Sequence, residues 1–209
     1  MDARDAVRRS YDTVAEKYAA GFSDELAHKP LDRALLTCLA EQARGPVADL
    51  GCGPGHVAAW LSAHGMNAVG VDLSPAMTAV GRREHPEVDF RVGDLLDLPA
   101  ADGEFGAAVA LYSIIHLEAA ELGRAFGEIH RILRPGGLAL VSFHVGTEVR
   151  HLTEFLGHDV EVDFHFFTSP GVVTAMEEAG FAVDMRLERT NYPEEVATQR
   201  GYLLARRLG

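Results

Sequence analysis

The stretch Val47-Ala48-Asp49-Leu50-Gly51-Cys52-Gly53-Pro54-Gly55-His56 constrains this chain more than any other. A short apolar run leads into alternating glycines, and Val57-Ala58-Ala59-Trp60-Leu61 follows with the composition of a helix start. Strand, tight glycine loop and helix in this order mark the point where an open α/β sheet holds a nucleotide-like ligand. The spacing is not that of the dinucleotide fingerprint. His56 stands where the third glycine of Gly-x-Gly-x-x-Gly belongs, and the glycine has moved to Gly55. A diphosphate at the helix N-terminus would also meet Asp49 with the wrong sign. An acid there suits a ligand that carries positive charge.

Two further segments extend the pattern. Asn67-Ala68-Val69-Gly70-Val71-Asp72 is apolar and ends in an acid about 20 residues after the loop, the separation at which a carboxylate reaches ribose hydroxyls. Ser74-Pro75 then reads as the N-cap and first residue of a helix. Val88-Asp89-Phe90-Arg91-Val92-Gly93-Asp94-Leu95 is a third short strand closing on Gly-Asp. There the Asp94 carboxylate can accept from an adenine amino group, and the Leu95 amide can donate to a ring nitrogen.

Strands are expected near 47–50, 67–72, 88–92, 106–111, 137–144, 182–189 and 199–206, and helices near 56–64, 75–84, 118–133 and 170–179. Such alternation predicts an α/β fold, a seven-stranded mostly parallel sheet with helices on both faces. Before it, Val7, Tyr11, Val14, Ala15 and Tyr18 have helical spacing. A second helix is expected over about 30–44, with Leu31, Ala34, Leu35, Cys38 and Leu39 on one face. The 209 residues fit one domain: a helical segment over 1–45, a ligand-binding core over 46–145, an insert over 146–168, and the rest of the sheet over 169–209.

The segments Asp49–Gly55, Gly70-Val71-Asp72-Leu73-Ser74, Gly93-Asp94-Leu95 and Leu133-Arg134-Pro135-Gly136-Gly137, in this order, resemble the class I S-adenosylmethionine-dependent methyltransferases of small-molecule metabolism. The resemblance covers about residues 45–145. It implies a Rossmann-like fold with an N-terminal helical lid and S-adenosylmethionine as methyl donor, whose ammonium and sulfonium match Asp49 in sign. It places Asp49, Gly51, Cys52, Gly53 and Gly55 around the methionine half of the donor, Asp72 on the ribose, and Asp94 and Leu95 on the adenine. Leu73, Met77, Gly93 and Leu111 join the donor-binding set. The segment Tyr11–Tyr18 resembles the family's lid, so Tyr11 or Tyr18 caps the donor carboxylate, unless both pack a core face. One departure stands out: Phe105-Gly106 replaces the Phe-Asp frequent before the fourth strand.

Methyl transfer from a sulfonium needs alignment and exclusion of water more than it needs a general base. Candidate bases are therefore sought only at strand ends on the binding edge. His116, after the fourth strand, and His144, ending the fifth, stand there. Both are also candidates to contact the acceptor. Tyr112 reads as an acceptor-pocket wall or as a core aromatic. In Phe164-His165-Phe166-Phe167, strand alternation sends two side chains to each face. His165 is then part of a pocket wall, or the run is an extra core strand. His151, His158 and His165 recur every seven residues but lack a short ligand pair, so no metal is expected.

The net charge of −12 argues against nucleic acid or an anionic membrane as partner. No apolar run approaches a membrane span, the first residues lack a signal-peptide pattern, and two cysteines suit a reducing compartment. The expectation is a cytoplasmic enzyme that methylates a small, partly apolar metabolite. Two other classes stay open. One is a donor-binding protein without transferase activity, which would lack an open acceptor pocket. The other is a nicotinamide-dependent oxidoreductase, which the loop spacing and Asp49 oppose.

Overall fold

The computed structural model describes residues 3–209. Its sheet has seven strands in the order β3-β2-β1-β4-β5-β9-β8. They are β1 (Val47–Leu50), β2 (Ala68–Asp72), β3 (Asp89–Val92), β4 (Phe105–Leu111), β5 (Leu133–Val145), β8 (Phe181–Arg189) and β9 (Gln199–Arg207). Strands β3, β2, β1, β4 and β5 run parallel. Strand β9 is antiparallel to both β5 and β8. Central strands covered on both faces must be apolar throughout, and all four residues of β1 are buried. The small residues Ala107, Ala108 and Ala110 in β4 let helices approach both faces closely.

The helices lie where their local signals put them. Helix α3 (His56–Ala63) leaves the glycine loop, and α4 (Pro75–Glu84) starts at Ser74, whose hydroxyl accepts from Met77 N at 3.1 Å. Helices α5 (Leu122–Ile132) and α6 (Ser169–Glu178) pack on the opposite face. Two N-terminal helices precede the sheet, α1 (Ala3–Phe22) and α2 (Pro30–Gln42).

The buried face of α2 is rotated from expectation. Asp32, Leu35, Leu36 and Leu39 are buried, while Ala34 and Cys38 are exposed. Hydrogen bonds from Tyr202 draw Asp32 inward and turn the helix with it. Strand β5 also starts earlier than expected. Leu133 pairs with Phe105 before the register shifts, and regular pairing resumes at Leu138.

The insert is a hairpin, β6 (Val149–Phe155) and β7 (His158–His165), turning at Leu156-Gly157 with φ of 53° and 74°. Two positive φ values in succession characterise a type I′ turn, which suits the strand twist. The hairpin stands outside the main sheet and packs on α1. Ser10 Oγ donates to the Glu161 carbonyl at 3.1 Å and accepts from Glu161 N at 3.0 Å. Asp12 accepts from Ser74 Oγ at 2.6 Å and from Ala76 N at 3.1 Å, so α1 is also pinned to the start of α4. Helix α1 and the hairpin together form a cap over the C-terminal ends of the parallel strands.

The replacement at Gly106 has a steric cause. A Cβ there would collide with the backbone of Arg44, so the close passage of the α2–β1 connection excludes the family's acid. No helix among the described residues is long and apolar enough to cross a membrane.

Candidate functional site

Under the cap lies a cavity of about 730 Å³. It opens where β1 has β2 on one side and β4 on the other, the switch point at which such sheets bind ligands. The loop after β1 builds one end. Gly51 N and Cys52 N both donate to the Val71 carbonyl, at 2.7 and 3.1 Å, and Gly51, Gly53 and Gly55 all have positive φ. At Gly53 a Cβ would stand 3.7 Å from the Tyr18 ring, an ordinary contact, so it is the positive φ of 54° that favours glycine here.

Two carboxylates face the cavity, Asp49 buried and Asp72 half-buried. Asp72 accepts from Gly53 N and Ser74 N, both at 2.8 Å, through different oxygens. Asp49 accepts from Ala58 N at 2.9 Å in the first turn of α3. Burial pushes Asp49 up to about 7, with His56 and the Ala58 amide opposing. Burial likewise pushes Asp72 up to about 6 against its two backbone donors. The Cys52 thiol is pushed well up by burial and by these two acids, so it is a packing group and not a thiolate. Gly93, Asp94 and Leu95 continue the wall, with Leu73, Met77 and Leu111. Asp94 accepts from Leu96 N at 2.9 Å.

The cap supplies aromatic rings. Tyr11 and Tyr18 line the cavity 6.2 Å apart. Tyr11 Oη lies 2.7 Å from His116 Nε2, and His116 Nδ1 lies 3.1 Å from the Asp163 carbonyl of β7. A carbonyl only accepts, so Nδ1 carries the proton and Nε2 accepts from the tyrosine. Burial pulls His116 down to about 4, leaving it neutral at neutral pH. His144 is also pulled to about 4 by burial and by Arg200, and its Nδ1 engages Thr198 Oγ1 at 2.9 Å.

Tyr112, at the end of β4, also lines the cavity and has φ 54°, a costly conformation for a bulky residue. Its amide is held by Ser142 O and Oγ, both at 3.1 Å, and its hydroxyl meets Tyr202 Oη at 2.9 Å.

Two expected residues do not reach the cavity wall. The Cβ direction of Gly55 is filled by the Phe90 ring, so this glycine serves helix–strand packing at the start of α3. His165 turns to the other face of its strand and stacks on Phe167, whereas Phe164 and Phe166 line the cavity. Among the described residues no cluster of metal-ligating side chains forms.

A buried polar network at the far end of the cavity escaped the sequence reading. Arg189 clamps Glu195 through two bonds of 2.7 and 2.9 Å and donates to Tyr202 Oη at 2.8 Å. Tyr202 donates to Asp32 at 3.1 Å. Lys29 pairs with Glu25 and, at 3.4 Å, with Glu195, and lies 5.1 Å from the Tyr112 ring centroid. Burial opposes ionisation of Glu195, but Arg189 holds it down at about 2. One signal was available: Asp32 shares the helical stripe of Leu35, Leu36 and Leu39. An acid on an apolar stripe needs a buried partner.

Two orphaned polar atoms, Ser113 Oγ and His56 Nδ1, are buried in residues that line the cavity. Together with Asp49 and Asp72, they fit a ligand with cationic and hydroxyl groups.

Comparison with known proteins agrees with this geometry. Residues 47–137 match the model of a methyltransferase domain family. A demethylmenaquinone methyltransferase of Chlorobaculum parvum is 31% identical over 147 residues, covering 66% of this chain and 59% of that protein. The ubiquinone/menaquinone biosynthesis C-methyltransferase UbiE of Rubrivivax gelatinosus is 35% identical over 135 residues, covering 63% and 53%. The chain thus spans little more than half the length of these curated relatives. The crystal structure of magnesium protoporphyrin IX methyltransferase from Synechocystis with bound SAM superposes with a TM-score of 0.77 at 15% identity, covering 99% of this chain and 98% of that one. Residues 47–137 thus match a methyltransferase domain, on a fold shared with an S-adenosylmethionine-dependent methyltransferase of known structure.

Proposed function

We propose that this protein is a cytoplasmic, single-domain enzyme that transfers the methyl group of S-adenosylmethionine to a small, partly apolar metabolite. The observation that carries the proposal is the pair of buried Asp49 and half-buried Asp72, at the ends of adjacent strands beside the glycine loop and facing one cavity. Asp49, Gly51, Cys52 and Gly53 would hold the methionine half of the donor. Asp72, Leu73 and Met77 would hold the ribose, and Gly93, Asp94 and Leu95 the adenine. Leu111 closes the floor, and Tyr11 and Tyr18 close the cap. The donor, when bound, supplies a methyl group already activated on a sulfonium.

The chain's own part is placement and exclusion of water. Helix α1 covers the strand ends and shields the cavity. Tyr112, His116 and His144 flank the acceptor space. The two histidines are neutral near pH 7 and accept protons only weakly, so alignment carries most of the rate. The mixed apolar and polar lining supports a small metabolite. The acidic chain offers no basic footprint for nucleic acid. The free cysteines Cys38 and Cys52 support a reducing compartment.

Calorimetry with S-adenosylhomocysteine tests the proposal. Asp72→Ala should weaken binding by about 1.5–3 kcal/mol, the range for hydrogen bonds to a charged group. Unchanged affinity would remove Asp72 from the ribose site. Tighter binding of NAD than of S-adenosylhomocysteine would overturn the proposal.

A further inference from the structure

The far end of the cavity holds a cation whose hydrogen-bonding capacity is half used. Arg200 of β9 lines the cavity and is only 4% exposed. Its Nη1 donates to the Val196 carbonyl at 2.8 Å, to the Thr198 carbonyl at 2.6 Å and to Thr198 Oγ1. That edge fastens the segment between β8 and β9. The opposite edge is idle. Nε is buried and has no hydrogen-bond partner, and among the described residues Nη2 has none either. Nε and Nη2 are two parallel donors of the guanidinium fork, a pair that matches both oxygens of a carboxylate. A buried charged donor left without an acceptor is costly, so this edge calls for one.

The neighbouring acids do not fill it. Glu195 comes nearest, with Oε2 3.5 Å from Arg200 Nε, but its two oxygens are clamped by Arg189 and one also accepts from Tyr192 N at 2.8 Å. Asp32 is committed to Tyr202 and Arg189, and Glu25 to Lys29 and His56. Glu194 is exposed to solvent. Two further cations line this end, Lys29 and Arg150 of β6. The pair that Arg150 makes with Glu148 is exposed and weak. His144 registers the balance of charge: burial, then Arg200, Arg150 and Lys29, bring its ring down to about 4, with Glu195 alone opposing. The cavity thus presents Asp49, Asp72 and Asp94 on the side of the glycine loop and surplus positive charge beside His144.

We propose that the acceptor carries a carboxylate, and that the Nε–Nη2 edge of Arg200 is its anchor. Calling that ligand the acceptor rests on the methyltransferase reading; the anion site does not.

The test compares octanoate with octan-1-ol by calorimetry, with and without saturating S-adenosylhomocysteine, at low ionic strength, where charges are screened least. The two probes share an apolar chain and differ in the head group. A merely greasy pocket would bind octan-1-ol as tightly or more tightly. The anchor should make octanoate the tighter ligand by about tenfold or more, as expected for hydrogen bonds to a charged group. Arg200→Gln, whose amide can still donate to the β8–β9 segment, should cut the ratio to about threefold or less. Arg200→Lys keeps the charge without the fork and should fall between the two. S-adenosylhomocysteine affinity should be unchanged in both variants, as the check of native fold. Equal or weaker binding of octanoate in the wild type overturns the proposal, and so does absence of octanoate binding at millimolar concentrations. An undiminished ratio in a variant that binds S-adenosylhomocysteine normally also overturns it. If the glutamine variant fails the fold check, the lysine variant and the wild-type ratio decide. Failure of the wild type to bind S-adenosylhomocysteine would instead overturn the methyltransferase reading, while the octanoate ratio on the protein alone still decides the anion site.

Discussion

Asp49 and Asp72 are carboxylates that folding has made harder to ionise, and this has a measurable pH signature. Their folded values, about 7 and about 6, exceed the unfolded value of 3.8. Between about pH 4 and pH 7 the folded chain holds protons that the unfolded chain has lost, so their contribution to stability falls as pH rises through that window. His116 and His144, pulled down to about 4, act in the opposite sense and add stability as pH rises from about 4 to 6.5. The melting temperature alone mixes the two. The shift in melting temperature on adding S-adenosylhomocysteine separates them, because a cation beside Asp49 favours its carboxylate. That shift should grow from pH 5.5 to pH 7.5, with affinity rising about tenfold. A flat or falling shift would remove Asp49 and Asp72 from the donor site. Gly106 gives a second prediction at this scale. Gly106→Ala forces a methyl group against the Arg44 backbone and should cost about 1–3 kcal/mol in denaturant unfolding.

At the level of elements, several polar side chains of α1 tie it to other elements. Ser10 docks on β7, Lys17 donates to the Leu156 carbonyl at 3.1 Å, and Asp12 accepts from Ser74 and Ala76. Asp12 matters most, because it satisfies a donor in the first turn of α4, where a negative charge also meets the positive end of the helix. Asp12→Ala should cost about 1–2 kcal/mol. Amide hydrogen exchange should speed up along α1 and the first turn of α4, and not in α5 or α6. Asn at this position should recover part of the loss, since its carbonyl oxygen still accepts. Uniform acceleration across the molecule would mean that α1 is not a separate closing element.

For the molecule as a whole, His116 is the meeting point of the sheet, the lid and the hairpin. It follows β4, accepts from Tyr11 of α1 and donates to Asp163 of β7. If it were a general base, His116→Ala would lower turnover by about 10²–10⁴-fold with donor affinity nearly unchanged. The pH–rate limb lost would lie near pH 4, where burial has put the ring. The arrangement favours a tether instead. His116→Ala should raise KM for the donor more than it lowers kcat, because the lid loses its link to the strand end. Glutamine should then recover much of the loss, since it hydrogen-bonds without needing to take a proton. Steady-state kinetics of the two variants separates the roles.

The local part of the cavity wall was legible in the linear chain because strand, glycine turn and helix start involve only neighbouring residues. Asp49, Gly51, Gly53, Asp72 and Asp94 take up places that their own short segments determine. The seven-strand sheet followed from alternation of apolar runs with helix starts, which depends on local periodicity alone. What lay beyond reach depends on side chains far apart in sequence. Gly55 faces away from the cavity because Phe90 fills that side, and His165 because Phe167 carries its strand face into the core. The Asp32–Tyr202–Arg189–Glu195 network joins α2 to β8, β9 and the segment between them. Charged residues are ordinarily exposed, so nothing short of their packing shows that these four are buried together. Tertiary structure alone decided which face of β7 meets the cavity, and that His116 meets Tyr11. Each depends on how the cap seats on the sheet, where packing across the whole molecule outweighs any preference of the segments themselves.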